Sequence, residues 1–482
     1  MGQELVSETH AVLSLFGRNT MWLWLDRATL SLGTMVAGLV LVRYLGPSRY
    51  GLYITAISLG ALVSTVLDLG LTRYAAREVS ATPCESGPIL ALSLFATIIS
   101  VAVEIVALVL ALTNGKTYIA CVCVGLILTN LEATAGLCSV ILTADLRSRA
   151  ILPGSVLSAV SIIAVIGMVV WQRLSVLPLL VGLSMKSLLV TSVRLWQLRD
   201  HWPSRGDWHW KEFRRVVEQA WPYFSYSLTQ IGYEKITVVC FGLVASKEQV
   251  GWIGAALVIA SFFPQWTYAA GGALLPLLTR LFETQRIAEL LDLQQRLLDV
   301  LIFFTVPVAV LLAAFAPTIC HLLGSQFDSS APVLRIIAFR SVLLVLEGLL
   351  GGVFLVAVDR TYSRRNAQAT ALIILALLTL IFGRTWGAAG AAFALLFADG
   401  IILMQYAWIF HAAHLKMRCL ALWTSLIGGV AMATTSAYLP QSFSWVLRTA
   451  PPLLVYLTVL ALLARRRLIT AGYTLKYCWT KA

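Results

Sequence analysis

Nine charged side chains fall inside long apolar runs: Glu104, Glu132, Lys186, Glu234, Lys235, Asp299, Arg340, Glu347 and Asp399. A charge at bilayer depth is costly, so each calls for a bound group or an ion partner. Lys186, Lys235 and Arg340 are cations of the kind an anionic ligand requires, and arginine can hold an oxyanion bidentately. Lys186 and Glu132 have similar depth in the same half of the chain, which leaves a structural ion pair as open as a ligand role. Lys235 adjoins Glu234 but points about 100° away from it on a helix. Arg340 and Glu347, seven apart on one face, can share a polar crevice without touching. A second pattern lies in 219–243, where Tyr223, Ser227, Gln230, Glu234 and Thr237 recur at steps of four, three, four and three. That spacing makes one polar stripe along a helix. Its amide and carboxylate groups pair with hydroxyls where apolar side chains cannot. Shorter stripes group Arg27, Ser31 and Thr34; Ser58, Thr65, Asp68 and Thr72; and Gly254, Ser261, Gln265 and Tyr268. The candidate cavity residues are therefore Arg27, Asp68, Lys186, Gln230, Glu234, Lys235, Gln265 and Arg340. Hydrogen bonding between packed helices would use the same residue types, so a cavity and a tight bundle remain alternatives.

The elements that carry these residues are membrane helices. The 482 residues are 59% hydrophobic and 12% charged, with mean hydropathy +0.84, where a soluble chain would carry roughly twice that charge. Runs long enough to span a bilayer give about fourteen helices: 22–44, 51–71, 88–112, 117–143, 151–171, 175–195, 219–243, 250–277, 295–317, 332–357, 367–383, 386–410, 419–439 and 445–464. The expected class is an all-α polytopic membrane protein. With the N-terminus inside, about 25 basic residues lie in inner connections and tails against about 8 outside, which puts both termini on the cytoplasmic side. The net charge of +13 is then a topology signal and an attraction to anionic headgroups, not a nucleic-acid footprint. Glu4 and Glu8, with no Lys or Arg among the first 17 residues, argue against a cleavable signal peptide.

The longest inner connection, 196–218, holds Trp196, Trp202, Trp208, Trp210, Arg199, Arg205, Arg214 and Arg215, a composition suited to the headgroup zone. It reads as an interfacial linker between a lobe at 1–195 (six spans) and a second at 219–411, with 412–482 supplying two further spans and a basic tail. After the linker the opening recurs in outline. Val244-Ala245-Ser246-Lys247-Glu248-Gln249-Val250-Gly251-Trp252 follows its span as Leu45-Gly46-Pro47-Ser48-Arg49-Tyr50-Gly51-Leu52 follows the first. Six spans separate the two, so the repeats share orientation, in parallel pseudo-repeat.

The phrase Arg43-Tyr44-Leu45-Gly46-Pro47-Ser48-Arg49-Tyr50-Gly51-Leu52-Tyr53, then Asp68-Leu69-Gly70-Leu71, resembles the opening of the polysaccharide (lipid-linked oligosaccharide) flippases, a branch of the multidrug/oligosaccharidyl-lipid/polysaccharide exporter superfamily. Pro276 to Leu281, Phe315 to Gly324, Ser330 to Ile336 and Gly387 to Ala392 are similar to further family phrases. The resemblance implies two six-helix lobes around a central cavity plus two C-terminal helices, in the bacterial cytoplasmic membrane. It implies a polyprenyl-diphosphate-linked oligosaccharide as substrate, moved by alternating access for O-antigen, capsule or exopolysaccharide assembly, with the deep cations available to the diphosphate. Membrane lipids are expected partners; polysaccharide assembly proteins and a coupling ion, H+ or Na+, stay open. No cofactor, no catalytic residue and no nucleic-acid partner are expected. The motif set lacks a P-loop and a nucleophile elbow, and His411-x-x-His414 lacks an acidic partner for a metal site. The alternatives are a cation-coupled multidrug exporter of the same superfamily and a membrane glycosyltransferase. The latter is disfavoured because no outer connection exceeds about 15 residues, too few to hold an acceptor sugar chain.

Overall fold

The computed structural model describes residues 2–81, 86–144, 148–202, 208–261, 275, 278–413, 427–435, 449 and 451–459, with side chains from residue 33 onward apart from 80–81, 144 and 148–150. Every described regular element is helical. The helices are α1 Gly2–Asp68, α2 Leu71–Ala81, α3 Ser86–Thr113, α4 Thr117–Ala144, α5 Ser148–Trp171, α6 Val176–Gln197, α7 Trp210–Val244, α8 Lys247–Ala260, α9 Ile287–Ala314, α10 Ala316–Leu323, α11 Ala331–Leu349 and α12 Thr361–Ala412. Two of these are double spans. α1 breaks at Gly46 (φ 69°, ψ 171°) just before Pro47, and α12 breaks at Gly387 (φ 61°, ψ −142°). At each break a glycine adopts a backbone that the helix cannot continue through, and the arms on either side match separate apolar runs of the sequence. Counted by arms, the described helices account for the expected spans up to 410 except 250–277, of which only 250–261 and 275 lie within the described residues. Of the last two, only 427–435, 449 and 451–459 lie within the described residues.

The chain forms two compact units, residues 1–254 and 255–482. In the first, Tyr44 at the end of the first α1 arm donates from its hydroxyl to the carbonyls of Val169 (3.1 Å) and Leu174 (3.0 Å), tying that arm to the α5–α6 turn. At the opposite end, which carries most of the basic residues, a core of Leu71, Tyr74, Val79, Ile89, Leu142, Leu198, Phe213 and Val216 packs α2, α3, α4, the end of α6 and the start of α7 together. α7 thus begins inside the segment read as a linker. Its first turns bury Phe213 and Val216, while Trp196 and Trp210 stay 67% and 77% exposed, as interfacial anchors do. Lipid-facing character is clear on α3, where Ile98, Val103 and Val106 are exposed.

The faint internal repeat has a structural counterpart. A Cβ on Gly51 would meet the carbonyl oxygen of Lys247 at 1.9 Å, and one on Gly251 would meet that of Pro47 at 2.0 Å. Residues 47 and 51 thus exchange contacts with 247 and 251, two hundred positions on. This reciprocity is that of a local two-fold axis, and the backbones touch because neither glycine has a side chain.

In the second unit α11 packs on both α9 and α12, and it runs into a π-helical turn, Leu350–Phe354, then a last turn Leu355–Ala357. Tyr456 donates to the Phe303 carbonyl at 3.0 Å, and Gly429 lies against Val306. The described parts of the C-terminal helices therefore pack on α9.

Candidate functional site

The polar stripe of α7 divides into three environments. Its basic-end half is bonded to α2: Arg73 donates from Nε to Ser227 Oγ at 3.0 Å and from its terminal nitrogen to Gln230 Oε1, and its guanidinium stacks 4.3 Å from the Tyr226 ring centroid. Arg77 donates to the Tyr223 hydroxyl at 2.9 Å, and Tyr74 donates to Gln219 Oε1. Farther along, Glu234 is exposed and Lys235 half-buried, and neither has a hydrogen-bond or ionic partner among the described residues. Thr237, 1% exposed, closes the stripe in the packed interior.

What holds α2 against α7 is the Asp68-Leu69-Gly70-Leu71 turn. Leu69 and Gly70 have positive φ, 50° and 80°, reversing the chain between α1 and α2. A Cβ on Gly70 would lie 2.4 Å from the Phe224 amide nitrogen and 2.8 Å from the Ala220 carbonyl oxygen, so the turn rests directly on the α7 backbone. Asp68 caps the first turn of α2: its Oδ1 accepts from the Thr72 hydroxyl at 2.6 Å and from the Thr72 amide at 3.3 Å. Asp68 is therefore a structural cap as well as a wall of a small cavity of about 20 Å³ lined by Ser64, Ser93, Thr97, Ser100, Asn130 and Thr134.

Two of the three deep cations are closed off. Lys186 donates to Glu132 at 2.9 Å, between α6 and α4. Arg340 on α11 forms a two-point pair with Asp399 on α12, at 2.7 and 3.4 Å, with Asp399 fully buried. Beside it, Glu347 accepts from Gln368 at 3.2 Å. The Lys186–Glu132 ion pair that the sequence left open is therefore formed, and Arg340 takes Asp399, not Glu347, as its direct partner. Charges 54 and 59 residues apart in sequence meet because helices two spans apart run parallel and bring equal depths together. Lys235 alone of the three keeps no partner among the described residues. Arg27 lies on the first arm of α1, but its side chain is outside the described set, and Gln265 falls outside the described residues altogether.

In the sequence Arg73 and Arg77 count only among the basic residues of the inner connections that set the topology. Their four-residue spacing on an amphipathic helix that buries Tyr74, Ala75 and Val79 was the available signal that they face a partner.

Comparison with known proteins then places the chain. A family model described as polysaccharide biosynthesis protein matches residues 16–282. The chain belongs to the polysaccharide biosynthesis protein family. Its fold is that of a solved lipid II flippase, MurJ, in an inward closed conformation: TM-score 0.75 at 12% identity, covering 93% of this chain and 99% of that one. A multidrug-resistance MATE transporter of the MOP superfamily, inward-facing, is also similar, with TM-score 0.60 at 14% identity over 80% of this chain and 95% of the other. At these identities the likeness is one of fold. No curated protein matches by sequence. This member of the polysaccharide biosynthesis family is thus a multi-pass helical membrane protein of transporter fold, with about fourteen spans.

Proposed function

We propose that this protein flips a polyprenyl-diphosphate-linked oligosaccharide across the bacterial cytoplasmic membrane for polysaccharide assembly. The observation that carries the reading is family membership joined to a fold match spanning nearly the whole of a lipid II flippase. The basic end, carrying α2 and the start of α7, is read as cytoplasmic from the positive-inside asymmetry. The lobes are 1–195 and 219–411, with 412–482 as an addition.

In this reading Arg73 and Arg77 close the cytoplasmic end by holding Ser227, Gln230 and Tyr223. Opening toward the cytoplasm must break those contacts. An incoming diphosphate favours the break, because charged oxygens compete well against the neutral hydroxyl and amide that Arg73 holds. Gln230 and Glu234, with Arg27, Asp68, Lys235 and Gln265 as further cavity candidates, then face sugar hydroxyls or phosphate, while the prenyl chain stays in lipid. Lys186 and Arg340 act through their ion pairs in shaping the bundles. A cell depleted of the protein should accumulate lipid-linked oligosaccharide on the cytoplasmic leaflet, and restored expression should clear it. Unchanged sidedness of the intermediate on depletion, or a change in drug resistance alone, would overturn the reading.

A further inference from the structure

Glu104 of α3 is a buried charge that the transport reading leaves unused. It is 6% exposed, between the lipid-facing side chains Val103 and Ile105. Its Oε1 accepts from Asn130 Nδ2 on α4 at 2.5 Å, while its Oε2 is buried with no hydrogen-bond partner. No lysine, arginine or histidine pairs with it among the described residues.

A carboxylate at this depth with one amide contact and an orphan oxygen is poorly stabilised as an anion; as the neutral acid it loses the charge and gains a donor on that oxygen. Polar groups run from it toward the basic end. Asn130 also donates to Ser100 Oγ at 3.2 Å, the Thr97 and Thr134 hydroxyls lie 2.7 Å apart, and Thr134 bonds back to the Asn130 carbonyl at 3.1 Å. These side chains line the same 20 Å³ cavity as Ser64 and Asp68, a volume that holds about one water. Hydroxyls and a water-sized cavity thus lead from the Asp68 turn as far as Ser100 and Asn130; the hydroxyls can accept and donate in relay, while the Asn130 amide, donating to both Ser100 and Glu104, orients the carboxyl.

The other titratable groups around the ladder are few. Cys123 of α4 is near enough to feel the Glu104 charge. Glu132 of α4 is engaged with Lys186. α1 contributes Asp68 at the far end and α2 contributes Arg73 beyond it, while α7 meets α3 through Phe213 against Phe95. Asn130 offers Glu104 an N–H rather than a ring of oxygens, a setting that suits a proton and not a metal cation.

We propose that Glu104 is a proton-binding residue, approached from the Asp68 end by the cavity and its hydroxyls and oriented by Asn130, whose loading and release couple a proton gradient to transport. This names the coupling ion for the flippase reading and rests on it for the coupling, though not for the site.

The test has two readouts on the full-length protein. Infrared difference spectra of the purified protein in lipid nanodiscs, without substrate, should show the carbonyl stretch of a buried protonated carboxylic acid. The band should vanish in Glu104→Gln, shift in Glu104→Asp and persist in Glu132→Gln. A spectrum unchanged by Glu104→Gln, with the variant monodisperse, overturns the site. In proteoliposomes, an imposed pH gradient should raise translocation of a polyprenyl-diphosphate oligosaccharide at least tenfold in wild type and Glu104→Asp, with that stimulation lost in Glu104→Gln. Wild-type translocation indifferent to pH but driven by sodium overturns the coupling. Failure of wild type to move the lipid under any gradient overturns the flippase reading and the coupling with it, while the infrared result still decides the site.

Discussion

Gly51→Ala should force apart the crossing of α1 and α8 that the internal repeat builds. The added Cβ falls 1.9 Å from the Lys247 carbonyl oxygen, whereas carbon and oxygen settle at about 3.3 Å. The backbones must therefore separate by roughly 1.4 Å, and the obstacle is a main-chain carbonyl within a helix, not a side chain that can rotate away. Overpacking of this kind costs about 1–3 kcal/mol, enough to shift a conformational equilibrium roughly 5- to 150-fold toward the separated state. Gly251→Ala places its Cβ 2.0 Å from the Pro47 carbonyl and should act alike. Because both changes spend the same contact, the double variant should cost clearly less than the sum. Gly242→Ala, whose Cβ would have ordinary contacts at 3.7 Å with Thr55, is the control and should be near neutral. Spin labels at Ser48 and Glu248, both exposed, read the separation by pulsed electron resonance. Each single variant should move population to longer distances, and the control should not. A wild-type distance distribution and thermal stability in Gly51→Ala would refute the close approach.

Three further outcomes are expected. Gly70→Ala combines a positive φ with a 2.4 Å approach to the Phe224 amide; αL strain alone is about 1–2 kcal/mol, so thermal stability should fall measurably, and an unshifted melting curve would remove the turn from the account. Arg73→Ala should expose the α7 stripe, raising the labelling rate of a cysteine at Ser227 by about tenfold, since charge-assisted hydrogen bonds contribute about 1.5–3 kcal/mol; an unchanged rate would mean the contact holds nothing closed. Arg340→Met strands the fully buried Asp399 and should cost about 3–5 kcal/mol, with Arg340→Met/Asp399→Leu recovering most of it; folded-protein yield by fluorescence-detected chromatography would show a double variant worse than the single if the pair were not what matters.

Much of the fold was legible because bilayer thickness sets helix length. The apolar runs at 88–112 and 117–143 became α3 and α4 almost residue for residue, and the gaps between runs at 44–51 and 383–386 fall at or beside the breaks at Gly46 and Gly387. Gly51 and Gly251 were legible as a repeat, but not as a contact, since sequence gives no distance. The stripe on α7 was legible by its period, whereas its partners were not. Arg73 and Arg77 looked like topology charges because a basic residue at a membrane boundary has an ordinary reason to be there. The Arg340–Asp399 pair left no local trace, because its members lie on different helices. The π-helical turn at 350–354, where the Tyr406 ring packs on Gly351 so that a Cβ would come within 2.5 Å, likewise has no period to betray it.

The most direct measurement is translocation by the purified protein. Liposomes carrying a polyprenyl-diphosphate oligosaccharide would be treated with a membrane-impermeant glycosidase, and the protected fraction followed in time. The account predicts that the protected half becomes accessible only in vesicles containing the protein, and much more slowly when Gln230 and Glu234 are both replaced by leucine in well-folded protein. An inner-leaflet pool that stays protected in the presence of active, correctly reconstituted protein would contradict it.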